Sequence, residues 1–302
     1  MYGPGLLARY LSVPNEEPDR WGNHWQYNSR SDRHSKVACW GVAFDLLLNS
    51  ARLRDHAASG KVVIGVNHGM TDYATNRKKV LDLVIARPAS RPSPSSSSFA
   101  DLATRYAIAL NDEERAHLAE LPRLVIAPVA ATLVALEAKA CMTAHVKSLP
   151  RLYDELNSSH LCVHGSSRQA LAIGFVQINN SDRFISSVLN ARPLSSGPIW
   201  NDQFISSVLD ARALSSGPIW NEHRQPRDTL RVLAKIAEMP RRSATSEVGF
   251  DGIGVVVIDA RNDGSPVTIV SGPPAPPSGD SFSYDSMIVR MANEYDTVFS
   301  GI

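Results

Sequence analysis

Apolar residues follow two different periods along this 302-residue chain, and the switches between them predict its elements. From His34 to His56, Val37, Trp40, Phe44, Leu47 and Leu48 form one helical stripe, and Gly60 is placed to stop that helix. Short runs rich in β-branched residues follow. Residues 61–70 and 79–88 read as two strands of a hairpin joined by the polar "TDYATNRK". Residues 123–142 read as a third strand interrupted by Pro128, and 171–180 as a fourth. Between them, 143–160 reads as helical after Pro150 and is rich in hydrogen-bonding side chains.

The remaining segments are less periodic. Residues 1–33, rich in Pro, Asn, Trp and charge, read as an irregular arm. Residues 88–122 read as an insertion. It opens with the low-complexity, mobile "ARPASRPSPSSSS" (86–98) and passes into a helix that Asn111 can cap, with Glu114 at the capping-box position. In the region 181–225, "FISSVLNARPLSSGPIWN" (184–201) recurs as "FISSVLDARALSSGPIWN" (204–221), differing only at Asn190/Asp210 and Pro193/Ala213. Two copies fall short of a solenoid, so the duplication reads as a tolerated surface insertion or interaction arm. Residues 226–302 continue with an amphipathic helix (226–242), a strand, "NDG" turn and strand (250–270), and a final helix from about Ser283. They complete the core or pack on it.

Composition narrows the class. A hydrophobic fraction of 43% and a charged fraction of 20% are ordinary for a globular protein. The net charge of +1 gives no global basic field, although nucleic acid needs only one positive face. Cys39, Cys141 and Cys162 have neither a disulfide framework nor paired zinc spacing, and no stretch reaches membrane-span length. A cytoplasmic protein with no membrane partner is expected.

Against this background the strand "VALEAKAC" (134–141) is odd. Side chains alternate faces along a strand, so Glu137 and Lys139 point the same way, about 7 Å apart. Asp82 is a second acid embedded in the apolar "VLDLVIA". If the two strands are neighbours, two carboxylates and an ammonium converge. Such carboxylates can hold Mg²⁺, which takes hard oxygen ligands and keeps waters, while the lysine serves the water or a phosphate. The plainer alternative is a same-face charge pair on an exposed edge strand, with Asp82 merely ending a ladder.

The order helix, strand, acid-bearing strand, E-x-K strand, polar helix, strand resembles the PD-(D/E)xK nuclease superfamily over roughly 34–180, and pieces of the C-terminal region 226–302 are similar to restriction-endonuclease-like proteins of phages and actinobacteria. Leu81 stands where the name-giving proline would be, and the interval from Asp82 to Glu137 is long. The resemblance implies an α/β restriction-endonuclease-like core, a mixed sheet flanked by helices, with insertions and a C-terminal extension. It implies Asp82, Glu137 and Lys139 as catalytic residues, and Asp82, Glu137 and the Ala138 carbonyl as ligands of Mg²⁺, with Mn²⁺ as substitute. Asp45, His145 and Lys147 would be supporting residues. The implied activity is a type II restriction-like, Mg²⁺-dependent endonuclease acting on DNA, as a homodimer if it cuts both strands. The alternatives are an inactive nucleic-acid-binding or structural protein, or a nuclease for RNA or branched DNA. His68 and Asp72 read as turn or DNA-proximal residues, Asp259 is a rival for a metal-site role that a turn position also explains, and His160 and His164 lack the further ligands that zinc needs.

Overall fold

The computed structural model describes residues 1–73, 75–194, 217–244 and 246–302. Its centre is a mixed six-stranded sheet. β1 (Val63–Asp72), β2 (Arg77–Pro88) and β3 (Val129–Cys141) form an antiparallel meander, and β4 (Leu171–Asn179) runs parallel to β3. A separate ribbon pairs β5 (Arg183–Ile185) with β6 (Trp220–Glu222). β7 (Gly252–Asp259) then rejoins the main sheet parallel to β4, and β8 (Thr268–Ile269) closes its edge. Every residue of β4 is buried, as a parallel strand covered on both faces requires. The C-terminal segment therefore both extends the sheet and packs on it.

Helices cover both faces. α1 (Gly3–Leu11), α2 (Arg33–Asn49) and α3 (Ala51–Ala58) come first, with α8 (Tyr284–Val298) beside α2 and against β7. α6 (His145–Ser166) packs on β1 to β4, and α7 (Arg227–Ala237) on α6 and β4. Between β2 and β3 lie α4 (Phe99–Arg105) and α5 (Asp112–Glu120), each opened by a capping box, the second built by Asn111 and Glu114 as predicted. Among the described residues no helix is long and apolar enough to cross a membrane.

Several boundaries differ from the sequence reading. The arm contains α1, whose Leu6, Leu7, Tyr10 and Leu11 are buried. The single helix expected over 34–56 breaks at Ser50, whose hydroxyl caps α3 by accepting from the Leu53 N–H at 2.9 Å. α2 is buried nearly all round rather than on one stripe. A Cβ on Gly41 would lie 2.8 Å from the Gly3 Cα, so only glycine lets α1 approach this closely. α6 begins at His145 and carries Pro150 inside it. The serine-rich stretch expected to be mobile is tied down at its end. Ser97 O accepts from Ile126 N, and Phe99 N donates to Leu124 O, both at 2.7 Å. Most of the duplicated segment, residues 195–216, lies outside the described residues. The ribbon that is described takes one half from each copy: Phe184 and Ile185 from the first, Trp220 and Asn221 from the second.

Candidate active site at a strand fork

β2 and β3 separate where the embedded charges lie. Their last paired rung is Leu83 opposite Leu136. Beyond it β3 continues alongside β4 to Cys141, while β2 continues alongside β1 to Arg77. Asp82 and Glu137 are the first residues past that rung. Ala138 is left with a backbone edge that β2 no longer covers, and Asp82 takes over: its Oδ2 accepts from the Ala138 N–H at 3.0 Å. The Ala138 carbonyl, on the same strand edge, has the Ser35 hydroxyl only at 3.4 Å.

Asp82 reaches the fork from the α2 side, with its Oδ2 4.0 Å from the Cys39 Sγ. Glu137 and Lys139 share the α6 side, as strand alternation predicts. Lys139 Nζ lies 2.7 Å from Glu137 Oε1 and 3.2 Å from Glu155 Oε2, and Lys79 Nζ is 3.4 Å from the same Glu137 oxygen. Arg151 Nε holds the other Glu155 oxygen at 2.6 Å. Among the described residues the buried Glu137 Oε2 has no hydrogen-bond partner.

The electrostatics follow from this crowding. Burial and then the nearby Glu137 charge push the Asp82 carboxyl up to about 6, against the pull of the Ala138 N–H and Lys139. Burial alone would lower the Lys139 ammonium, but Glu137 and Glu155 outweigh it and its pKa rises. For Glu155 burial acts upward, and Arg151 and Lys139 overcome it, so the net shift is downward. His34 is pulled down to about 4, by burial and then by Lys139.

The fork opens on a cleft of about 460 Å³. One wall is the arm and the start of α2 (Tyr27, Arg30, Asp32, His34, Ser35). The floor is Asp82, Ala138 and Lys139, and the far wall is α6 with Ser148, Arg151 and Glu155. No family model, curated protein or solved structure matches the chain. The candidate site therefore rests on its own geometry.

The supporting residues expected from the resemblance are not in this cleft. Asp45 is fully buried and turned to α1, accepting from the N–H groups of Tyr2 and Gly3 at 2.8 Å and from the Tyr284 hydroxyl at 2.8 Å. Burial raises its pKa although all three donors oppose the shift. It is a structural anchor. His145 is buried with its Nε2 2.6 Å from the Asn179 carbonyl and its ring 4.6 Å from that of His223, which makes it a strap between α6 and the end of β4. Lys147 points to solvent outside the cleft lining. Glu155 was missed by the sequence reading. It falls among the inward positions Leu152, Leu156 and Ser159 of α6, and an acid on such a stripe was the available signal. The arm residues that wall the cleft had no periodicity to announce them.

Among the described residues no three His, Cys, Asp or Glu side chains group as a metal cage. A site for Mg²⁺ does not need one, because this ion keeps several waters. The Asp82 carboxyl and the poorly bonded Ala138 carbonyl line the cleft, and the buried Glu137 Oε2 lies at the same fork outside its lining; these are hard oxygens of the kind a divalent cation takes.

Proposed function

We propose that the protein is a divalent-metal-dependent endonuclease acting on DNA, with the β2–β3 fork as its active site. The observation that carries this reading is that Asp82, Glu137 and Lys139 lie together where β2 leaves β3, with Asp82 and Lys139 lining an open cleft and Glu137 paired to Lys139. The meander β1–β2–β3 with β4 parallel to β3, preceded by α2 and crossed by α6, supports a restriction-endonuclease-like core. Asp82, Glu137 and the Ala138 carbonyl would hold Mg²⁺ or Mn²⁺. Such an ion supplies positive charge to a phosphodiester and lowers the pKa of a water. Lys139, fixed between two carboxylates, donates a hydrogen bond to the phosphate as its charge grows. Glu155 positions that ammonium, and Arg151 and Arg30 on the cleft walls neutralise flanking phosphates. Cleavage of both strands in the manner of a type II restriction enzyme calls for a homodimer.

One observation favours a second reading, a catalytically inert nucleic-acid-binding protein. Glu137 Oε1 is already paired with two lysines and Asp82 with a backbone N–H, as in a purely structural cluster. Plasmid and oligonucleotide cleavage with Mg²⁺, Mn²⁺, Ca²⁺ or chelator separates the two. Wild-type protein is expected to cut with Mg²⁺ or Mn²⁺ only. Lys139→Ala should lose roughly 10²- to 10⁴-fold in rate while its circular dichroism stays that of wild type. Absence of metal-dependent cleavage on every DNA and RNA offered sinks the nuclease reading.

A further inference from the structure

The outer half of the β1–β2 hairpin continues away from the fork with one face uncovered. Along β2, Lys78, Val80 and Asp82 share a face by strand alternation, and across the ladder Thr71 and Gly69 are the partners of Lys78 and Val80. The opposite face is closed, with Met70 and Leu81 buried in the cluster that includes α6. The open face is bare. Val80 is 61% exposed, and a Cβ placed on Gly69 would meet nothing within 4 Å. The result is a flat floor leading from the candidate site to the hairpin tip.

Charge says what would cover it. Lys78 is exposed and among the described residues makes no ion pair, while Arg77, also exposed, alternates to the other face opposite Asp72. From Asn67 to Val80 the sequence contains one acid, Asp72. It is buried and takes the Thr75 hydroxyl. A second hairpin of the same chain would bring its Lys78 against another lysine, and only Val80 and, at the tip, Tyr73 are exposed large hydrophobics, so self-association is disfavoured. A polyanion is favoured. At about 3.4 Å per residue, Lys78 lies some 14 Å along the strand from Asp82. That spans roughly four base-pair steps of B-form duplex.

We propose that this hairpin face is a docking strip for a DNA backbone, with Lys78 as its phosphate contact and the Gly69–Val80 floor carrying the duplex toward the fork. The direction of the track rests on the nuclease reading, whereas the strip itself rests on its charge and openness. The test measures binding of a fluorescent 20-base-pair duplex by anisotropy in Ca²⁺ over a salt series, beside cleavage in Mg²⁺. The proteins are wild type, Lys78→Ala, Lys78→Glu, Val80→Glu and, as a control remote in the fold, Lys61→Ala, whose ammonium bonds the Ile302 carbonyl.

Lys78→Ala should bind several-fold more weakly and lower the salt slope by about 1, as expected for one lost phosphate contact. The glutamates should weaken binding further. Lys61→Ala should bind like wild type, and cleavage at saturating DNA should be little changed in all. Wild type that binds without cutting, with the same variant pattern, retains the strip and removes the nuclease reading. Wild type that cuts, with hairpin variants of wild-type affinity and slope, removes the strip alone. Hairpin variants that dissociate a dimer in light scattering, with unaltered salt slope, show a subunit interface and overturn the strip.

Discussion

Two buried charged clusters occupy the same sheet, and their hydrogen bonding separates them. At the start of β4, Arg242 is 4% and Asp251 6% exposed. The guanidinium gives Nε to Asp251 Oδ1, Nη1 to the Arg168 carbonyl and Nη2 to the Ala170 carbonyl, each at 2.7 Å. The remaining Asp251 oxygen accepts from the Ala172 N–H at 2.7 Å, and His164 bonds the Gly249 carbonyl beside it. Every strong donor and acceptor of that ion pair is matched inside the protein. At the fork, in contrast, Glu137 Oε2 has no partner among the described residues, the Ala138 carbonyl has a marginal one, and Asp82, Ala138 and Lys139 line a cleft. Charge alone marks neither as functional. The closed cluster uses its charges to fix a backbone turn, and the open one leaves oxygens for something from outside.

The largest test of this contrast is Arg242→Met. It leaves the Asp251 carboxylate buried with one backbone donor, which typically destabilises by about 3–5 kcal/mol. Urea unfolding should show a loss of that size, with cleavage per folded molecule unchanged. A loss under about 1 kcal/mol would mean that the cluster is not closed.

A smaller test uses pH, because the two regions oppose each other in one window. Asp82 has a folded pKa of about 6, above its unfolded value near 4. Its contribution is full below about pH 4 and is lost as pH rises through 6. His160, which packs edge-on against Phe250 next to the closed cluster, is held down to about 4 by burial and then by His164. The unfolded chain takes up that proton from about pH 6.5, so its contribution is full above 6.5 and is lost as pH falls through 4. In metal-free urea titrations from pH 4 to 7, Asp82→Asn should become more sensitive to acid than wild type and His160→Gln less so. The changes should be roughly 1–3 kcal/mol. Asp82→Asn should also be neutral or stabilising at pH 7.5, the opposite sign from Arg242→Met. Equal slopes in all three proteins would erase the distinction.

The smallest expected effect comes from deleting residues 197–216. Asn190 clasps Ile219 through two hydrogen bonds, Nδ2 to its carbonyl at 2.9 Å and its N–H to Oδ1 at 2.7 Å. The described ribbon is thus closed by the first half of one copy and the second half of the other. The deletion joins Ser196 to Gly217 and restores a single period. Neither charged cluster draws on it. Stability should change by less than about 1 kcal/mol, since closure entropy varies slowly with loop length. Scanning calorimetry checks this, and a variant that does not fold would show that the duplicated length is required.

The strands and the core charges were readable because both depend on local alternation. A β-branched run names a strand, and E-x-K within one puts two side chains on the same face whatever the neighbours do. The rest depended on distant partners. α1 is only 9 residues long and owes its stability to packing and to Asp45, 42 residues beyond Gly3. Asp45 itself looked like a spare ligand, since nothing local shows that its oxygens are taken by backbone N–H groups. Glu155 was hidden by helix register. Starting α6 after Pro150 rather than at His145 obscures which polar residues face Lys139. The separation of β2 from β3, which makes the site, leaves no sequence mark.

The Asp45 carboxylate also sets a schedule for biosynthesis. Its backbone donors belong to the first residues of the chain, and its third donor, Tyr284, follows 239 residues later. At ribosomal speeds of 5–20 residues per second that is a delay of about 10–50 s. Throughout it α1 and α2 can already be joined, but the flank of α2 that α8 later covers stays bare and one donor to the buried charge is missing. A nascent chain in this interval presents an apolar surface to chaperones, and translation halted before Tyr284 would leave it so.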